Sequence, residues 1–257
     1  MTIQLNWKTP TKIVRWHNWA EQAVKKIVIF PDGVTEKQIR PAWWQPWANT
    51  VAYYPLNSTT TVNDMSGNNK TLTNYNVVFN NNSWVDCAYF NGSNASLRNT
   101  SLKTNEMTTN FTISLWINQI TIWDRGISSN ITWQYYGYIL WTDGSKHPKI
   151  EIMDSNWSTT NSNYTTSVNT WYHIVCTHDS SNSVKIYINW ALKNTWSKSF
   201  GTANASKFTI WAYYFWSDAN PWWYYNWFIS NFIVENKART AQEISDYYNQ
   251  TKWNYWL

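Results

Sequence analysis

Glycine is scarce in this 257-residue chain: there are seven, where ordinary usage of about 7% would give roughly 18. Charge is also low, with Asp, Glu, Lys and Arg making up 14% of residues. The polar surface must therefore come from Asn, Thr and Ser, which together with Tyr, Val and Ile favour strands and turns over helices. The net charge is +5, but no run of Lys and Arg forms a patch. That describes a mildly basic solvated surface and argues against a nucleic-acid partner. Long apolar runs are missing too. In the first thirty residues the longest is Ile27 to Phe30, behind a lysine pair. The expectation is no secretory signal and no membrane insertion, so a surface-acting protein of this kind would leave the cell by another route. The two cysteines, Cys87 and Cys176, sit inside apolar strand patterns and read as small core residues. Two cysteines in a chain of this length do not imply a disulfide.

Catalytic signatures are missing as well. There is no Gly-x-Ser-x-Gly motif and no P-loop. His17, His147, His173 and His178 show no metal-ligand spacing. His173 and His178 lie five apart in a strand pattern, so they should face opposite ways. Glycosidases need paired carboxylates about 5–10 Å apart. The nearest candidate, Glu151 with Asp154, has an odd spacing that puts the two on opposite faces.

What is abundant is tryptophan, with 22 residues. The surplus lies where glycine belongs. Asn-Trp occurs at Asn6-Trp7, Asn18-Trp19, Asn156-Trp157, Asn189-Trp190 and Asn226-Trp227. Asn-Gly is the strongest hairpin dipeptide because both turn residues need φ > 0, which Trp tolerates poorly. Near the N-terminus three strand-like runs are each followed by a turn pair: Asn6-Trp7, Asn18-Trp19 and Asp32-Gly33. Only the third is a standard signal. The pattern is expected of a genome that reads UGA as glycine, translated under a code in which UGA is Trp. The alternative is a genuinely Trp-rich binding protein.

Residues 1–40 read as short strands and turns, too few to bury a core alone, and are expected to be a small hairpin module that attaches the chain to a partner. Residues 41–50 hold two prolines and no alternation, which suits a linker. From 51 to 257 many short β runs recur with turn clusters between them, as in a sandwich or jelly roll. In Phe111-Thr-Ile-Ser-Leu-Trp-Ile-Asn118, Phe111, Ile113, Leu115 and Ile117 share one face and Trp116 takes the other. Val184, Ile186 and Ile188 share a face in the same way. One helix is expected near the C-terminus. Thr240 and Glu243 form a capping box, and Ile244, Tyr247 and Tyr248 recur at helical spacing.

Five segments, in order, then carry a resemblance. They are Val51–Asn74 with its Asp-Met-Ser-Gly-Asn loop, Cys87–Leu97, Phe111–Asn118, Asn169–Trp190 with its Trp-x-His hairpin, and Phe208–Ile244. Together they resemble the laminin-G / concanavalin A-like lectin family, over roughly residues 50 to 252. The departures stand at family glycines: Trp190, Trp211 and Trp227. The resemblance implies an all-β antiparallel sandwich with a short C-terminal helix. It also implies a non-catalytic carbohydrate-binding or adhesion role.

Asp64 reads either as an Asx turn or as a calcium ligand. Asp143 and Asp218 fall, by the resemblance, in loops where pentraxins hold Ca²⁺, with Asn220 nearby. Aromatic platforms for a polysaccharide are expected at Tyr135, Tyr136, Tyr213, Tyr214, Tyr224 and Tyr225, with Asn220 taking hydroxyls. A virion tail or fibre, or a cell surface, is the expected location. The alternatives are a structural assembly protein whose sandwich binds protein, and a divergent glycosidase using Glu151 or Asp154.

Overall fold

A computed structural model describes residues 2–5, 12–15, 28–30, 33–35, 48–82, 84–102, 104–107, 109–121, 125–131, 136–154, 157–201, 208–210 and 226–257. The chain divides into two compact units, Met1–Trp47 and Ala48–Leu257. In the first, β1 (Thr2–Leu5) pairs antiparallel with β2 (Lys12–Arg15), and β3 (Val28–Phe30) with β4 (Gly33–Thr35).

The second unit is an antiparallel β-sandwich. Its strands are β5 (Thr50–Tyr54), β6 (Thr73–Tyr75), β7 (Val78–Asn82), β8 (Val85–Asn91), β9 (Ser96–Asn99), β10 (Phe111–Gln119), β11 (Arg125–Ile131), β12 (Tyr136–Thr142), β13 (Pro148–Asp154), β14 (Trp157–Asn161), β15 (Trp171–His178), β16 (Ser183–Ile188), β17 (Ala191–Ser197), β18 (Phe208–Ile210) and β19 (Asn226–Glu235). One sheet runs β17-β16-β15-β10-β19-β8-β7. Its eighth strand, β5, pairs with the second half of β19 (Phe232–Glu235), while β8 pairs with the first half. The other sheet runs β14-β13-β12-β11-β18-β9-β6.

The core forms where the alternating apolar positions of the two sheets meet. Phe111, Ile113, Leu115, Ile117, Ile174, Val184, Ile186 and Ile188 contribute from the first sheet. Leu97, Ile127, Tyr138, Leu140, Ile150, Ile152, Phe208 and Ile210 contribute from the second. Each of these side chains contributes about 1.5–3 kcal/mol by leaving water. Ring contacts bridge the sheets: Phe208 meets Tyr54 at 6.2 Å and Phe232 at 5.6 Å.

The C-terminal helix α1 (Ala241–Thr251) starts as its sequence predicts. The Thr240 hydroxyl accepts from the Glu243 amide, and Glu243 accepts from the Thr240 amide at 2.8 Å. Its apolar face lies on the outside of the first sheet. Ile244 packs on Val175 and Tyr187. Trp116 stacks on His173, Tyr248 and Tyr255, the last at 3.8 Å. Trp116 thus points away from Leu115 and Ile117, as period two requires. The helix entry is pinned by a buried ion pair between Arg239 and Glu235, and by Thr112. The Thr112 hydroxyl donates to the Lys237 carbonyl at 2.6 Å and accepts from the Arg239 amide at 2.9 Å. Both cysteines are free and buried.

Asn226-Trp227 does not form a turn. The pair opens β19, and the Trp227 ring is fully buried in the core beside its register partner Phe90. Strand pairing on both sides of β19 overrides the local turn chemistry of the dipeptide.

Candidate functional site

The two sheets have different outer faces. The first is covered by α1 and the turn after it. On the second, the register places one row of outward residues across all seven strands: Thr73, Arg98, Thr209, Ser129, Ile139, Glu151 and Thr159. Six of the seven are polar. The neighbouring inward row carries Leu97, Ile210, Leu140 and Ile150. The alternation that builds the core therefore lays a polar band on the opposite surface.

The band has a buried middle and accessible ends. Ser129 and Thr209 are buried, and their hydroxyls bond each other at 2.9 Å. At the β6 end the Arg98 guanidinium sits 4.0 Å over the exposed Tyr75 ring. The β13–β14 end holds a denser group. Trp141 lies opposite Lys149, whose ammonium is 4.9 Å from the indole centroid. Lys149 also pairs with Asp143 at 2.8 Å. Glu151, in the adjacent row, accepts from Thr159 at 2.9 Å. Ile139 and Met153 are buried against Trp141.

Charge in this group is tuned by burial. Burial pushes the Glu151 carboxyl above its ordinary range. The Thr159 hydroxyl, the Lys149 charge and the Trp141 indole offset part of that rise. For Asp143 burial also pushes upward, but Lys149 and the His147 amide and ring outweigh it and hold the carboxyl at about 2. The result is a half-buried aromatic ring beside one cation, one low-lying carboxylate and one carboxyl biased toward its protonated form. Such a set stacks on an apolar ring face while donating to and accepting from hydroxyl groups.

Two of the three expected metal ligands, Asp64 and Asp143, accept hydrogen bonds from the protein. Asp64 accepts from the Tyr53 and Ser66 amides through Oδ1, and from the Lys70 amide and Ser66 hydroxyl through Oδ2. It shapes the 64–70 loop, as the Asx-turn reading predicts. Asp143 accepts from the Ser145 and His147 amides, Lys149 and the His147 ring. Among the described residues no three His, Cys, Asp or Glu side chains group to hold a metal ion. Asp218, Asn220, Tyr135, Tyr213, Tyr214, Tyr224 and Tyr225 lie outside the described residues. Tyr136 opens β12 opposite Asp154, and its side chain is likewise outside them.

Glu151 and Asp154 are not brought together. Glu151 turns outward to Thr159, whereas Asp154 binds Lys198 and the Ser199 hydroxyl beyond β17. The histidines of β15 also diverge. His173 faces α1, with Nε2 2.8 Å from the Ser114 hydroxyl. His178 stacks on Phe111 and bridges the Thr109 and Lys198 carbonyls.

A family model described as the concanavalin A-like lectin/glucanase superfamily, laminin-G type, matches residues 91–245. The chain belongs to that superfamily. No curated protein sequence matches it. Among solved structures, one reported for botulinum neurotoxin type C, whose cell entry depends on interaction with two ganglioside molecules, is 17% identical with a TM-score of 0.63. It covers 79% of this chain and 51% of its own. The binding domain of Paraclostridial Mosquitocidal Protein 1 is 17% identical with a TM-score of 0.64, covering 79% and 52%. The binding domain of botulinum neurotoxin DC in complex with rat synaptotagmin II is 16% identical with a TM-score of 0.63, covering 79% and 51%. The chain spans about half the length of the structures it matches, and at these identities the likeness is one of fold.

Proposed function

We propose that this chain is a non-catalytic carbohydrate-binding module that presents the outer face of its second sheet to a glycan. The observation that carries this is the group at the β13–β14 end of the second sheet, where Trp141 and Lys149 stand opposite each other beside the row that ends in Glu151 and Thr159. At the accessible β13–β14 end a glycan would meet the exposed Thr159 hydroxyl, the half-buried Lys149 and the half-buried Trp141 ring to stack on. Similarly folded domains are reported with gangliosides and with SialylT, which supports a glycan ligand. Residues 211–225, between β18 and β19 in the chain, hold Tyr213, Tyr214, Tyr224 and Tyr225, which would stack on sugar. A calcium contribution, if the glycan needs one, would come through Asp64, Asp143 or Asp218. The N-terminal unit would attach the module to a virion tail, a fibre or a cell-surface assembly.

The test is a glycan array followed by titration of the best hit. Replacing Trp141 with Ala or Lys149 with Ala should weaken binding about tenfold or more, a loss of about 1.4 kcal/mol. A chain that binds no glycan but forms a stable homo-oligomer would instead be an assembly protein. The protein-bound neurotoxin domain supports that second reading.

A further inference from the structure

We infer that Trp84, Trp190 and Trp256 are glycines in the protein its source organism makes, because the genome reads UGA as glycine. All three have backbones in the left-handed region, with φ of 74°, 69° and 60°. All three rings are exposed, at 83%, 52% and 74%, so no packing compensates for the strain.

Each also occupies a site with a specific chemical demand for glycine. Ile188 pairs with Ala191, so Asn189 and Trp190 are the two loop residues of the β16–β17 hairpin, with φ of 49° and 69°. Two positive φ values in a two-residue loop mark a type I′ turn, whose preferred pair is Asn-Gly. Asn82 pairs with Val85, which makes Trp84 the second loop residue of the β7–β8 hairpin. Trp256 is the left-handed residue that ends the final helical turn, its amide bonded to the Lys252 carbonyl. Glycine dominates that capping position.

Other residue types do not share this pattern. Among the described residues, seven of the thirteen non-glycine residues at positive φ are Asn, which tolerates it; Leu, Thr and Lys appear once each; Trp appears three times. Trp116 and Trp171 are the contrast. They are buried in strands with their rings against Tyr255, Trp116 stacked on it and Trp171 tilted to it. The functional consequence is that these three exposed tryptophans are not sugar platforms. Trp141, half-buried in β12, is not among the three.

The gene and the native protein decide the matter. The expected gene has UGA at positions 84, 190 and 256 and UGG at 116 and 171; UGG at the three positions overturns the inference. Peptide masses from the protein isolated from its source should correspond to glycine at all three. Tryptophan masses overturn it even where the codons are UGA, since that genome would then read UGA as Trp. For the recombinant full chain, W84G, W190G and W256G combined should raise the melting temperature by a few degrees. An unchanged or lower value removes the geometric ground.

Discussion

Two single residues show how much a side chain can be asked to hold. Asp64 keeps three backbone amides and one hydroxyl on one carboxylate. Replacing it with Ala leaves those amides without a partner, and the expected loss is about 2–3 kcal/mol in chemical denaturation. His173 is held neutral: burial, with Arg239 adding to it, pushes its pKa down to about 3. The unfolded chain therefore binds the proton more readily than the folded one. Stability present above about pH 6.5 should fall as pH drops toward 3, by up to about 1.4 kcal/mol per pH unit. Melts between pH 7 and 4 should show this slope, and His173→Phe should flatten it. Glu151 runs the other way. Its raised pKa means the folded state holds the proton longer, so its contribution is greatest at low pH and is lost as pH rises through the folded value. Glu151→Gln should remove that pH dependence.

At the scale of elements, α1 is stabilised more by docking than by propensity. Its eleven residues are too few for independent stability in water. Losing the capping box through Thr240→Ala should cost about 1 kcal/mol. Breaking the buried pair through Arg239→Ala should cost more, about 3–5 kcal/mol, because Glu235 is left charged and buried. Trp116 emission should shift to the red as the helix lifts, a measurement that separates loss of docking from global unfolding.

At the scale of the molecule, every described residue of the main core lies between Val51 and Val234. A chain beginning at Ala48 should therefore keep the sandwich, with an unchanged melting temperature and undiminished glycan binding. A large drop in either would mean that residues 1–47 contribute to the fold or the ligand site.

The sequence by itself determined the layers. Period-two patterning put Phe111, Ile113, Leu115 and Ile117 inward and Trp116 outward, and the capping box marked the helix, because both are local rules acting within one segment. Turn chemistry likewise pointed to residues 189–190. It failed at Asn226-Trp227, where pairing with β8 and β10 won over the dipeptide. Period two puts Lys149 and Glu151 on one face of a strand, but it does not say which residues stand beside them. Only the tertiary structure decided that, because Thr73, Arg98, Thr209, Ser129, Ile139, Glu151 and Thr159 come from seven strands whose order in the sheet differs from their order in the chain. Register between distant strands is set by the packing of the whole core, and no local pattern encodes it.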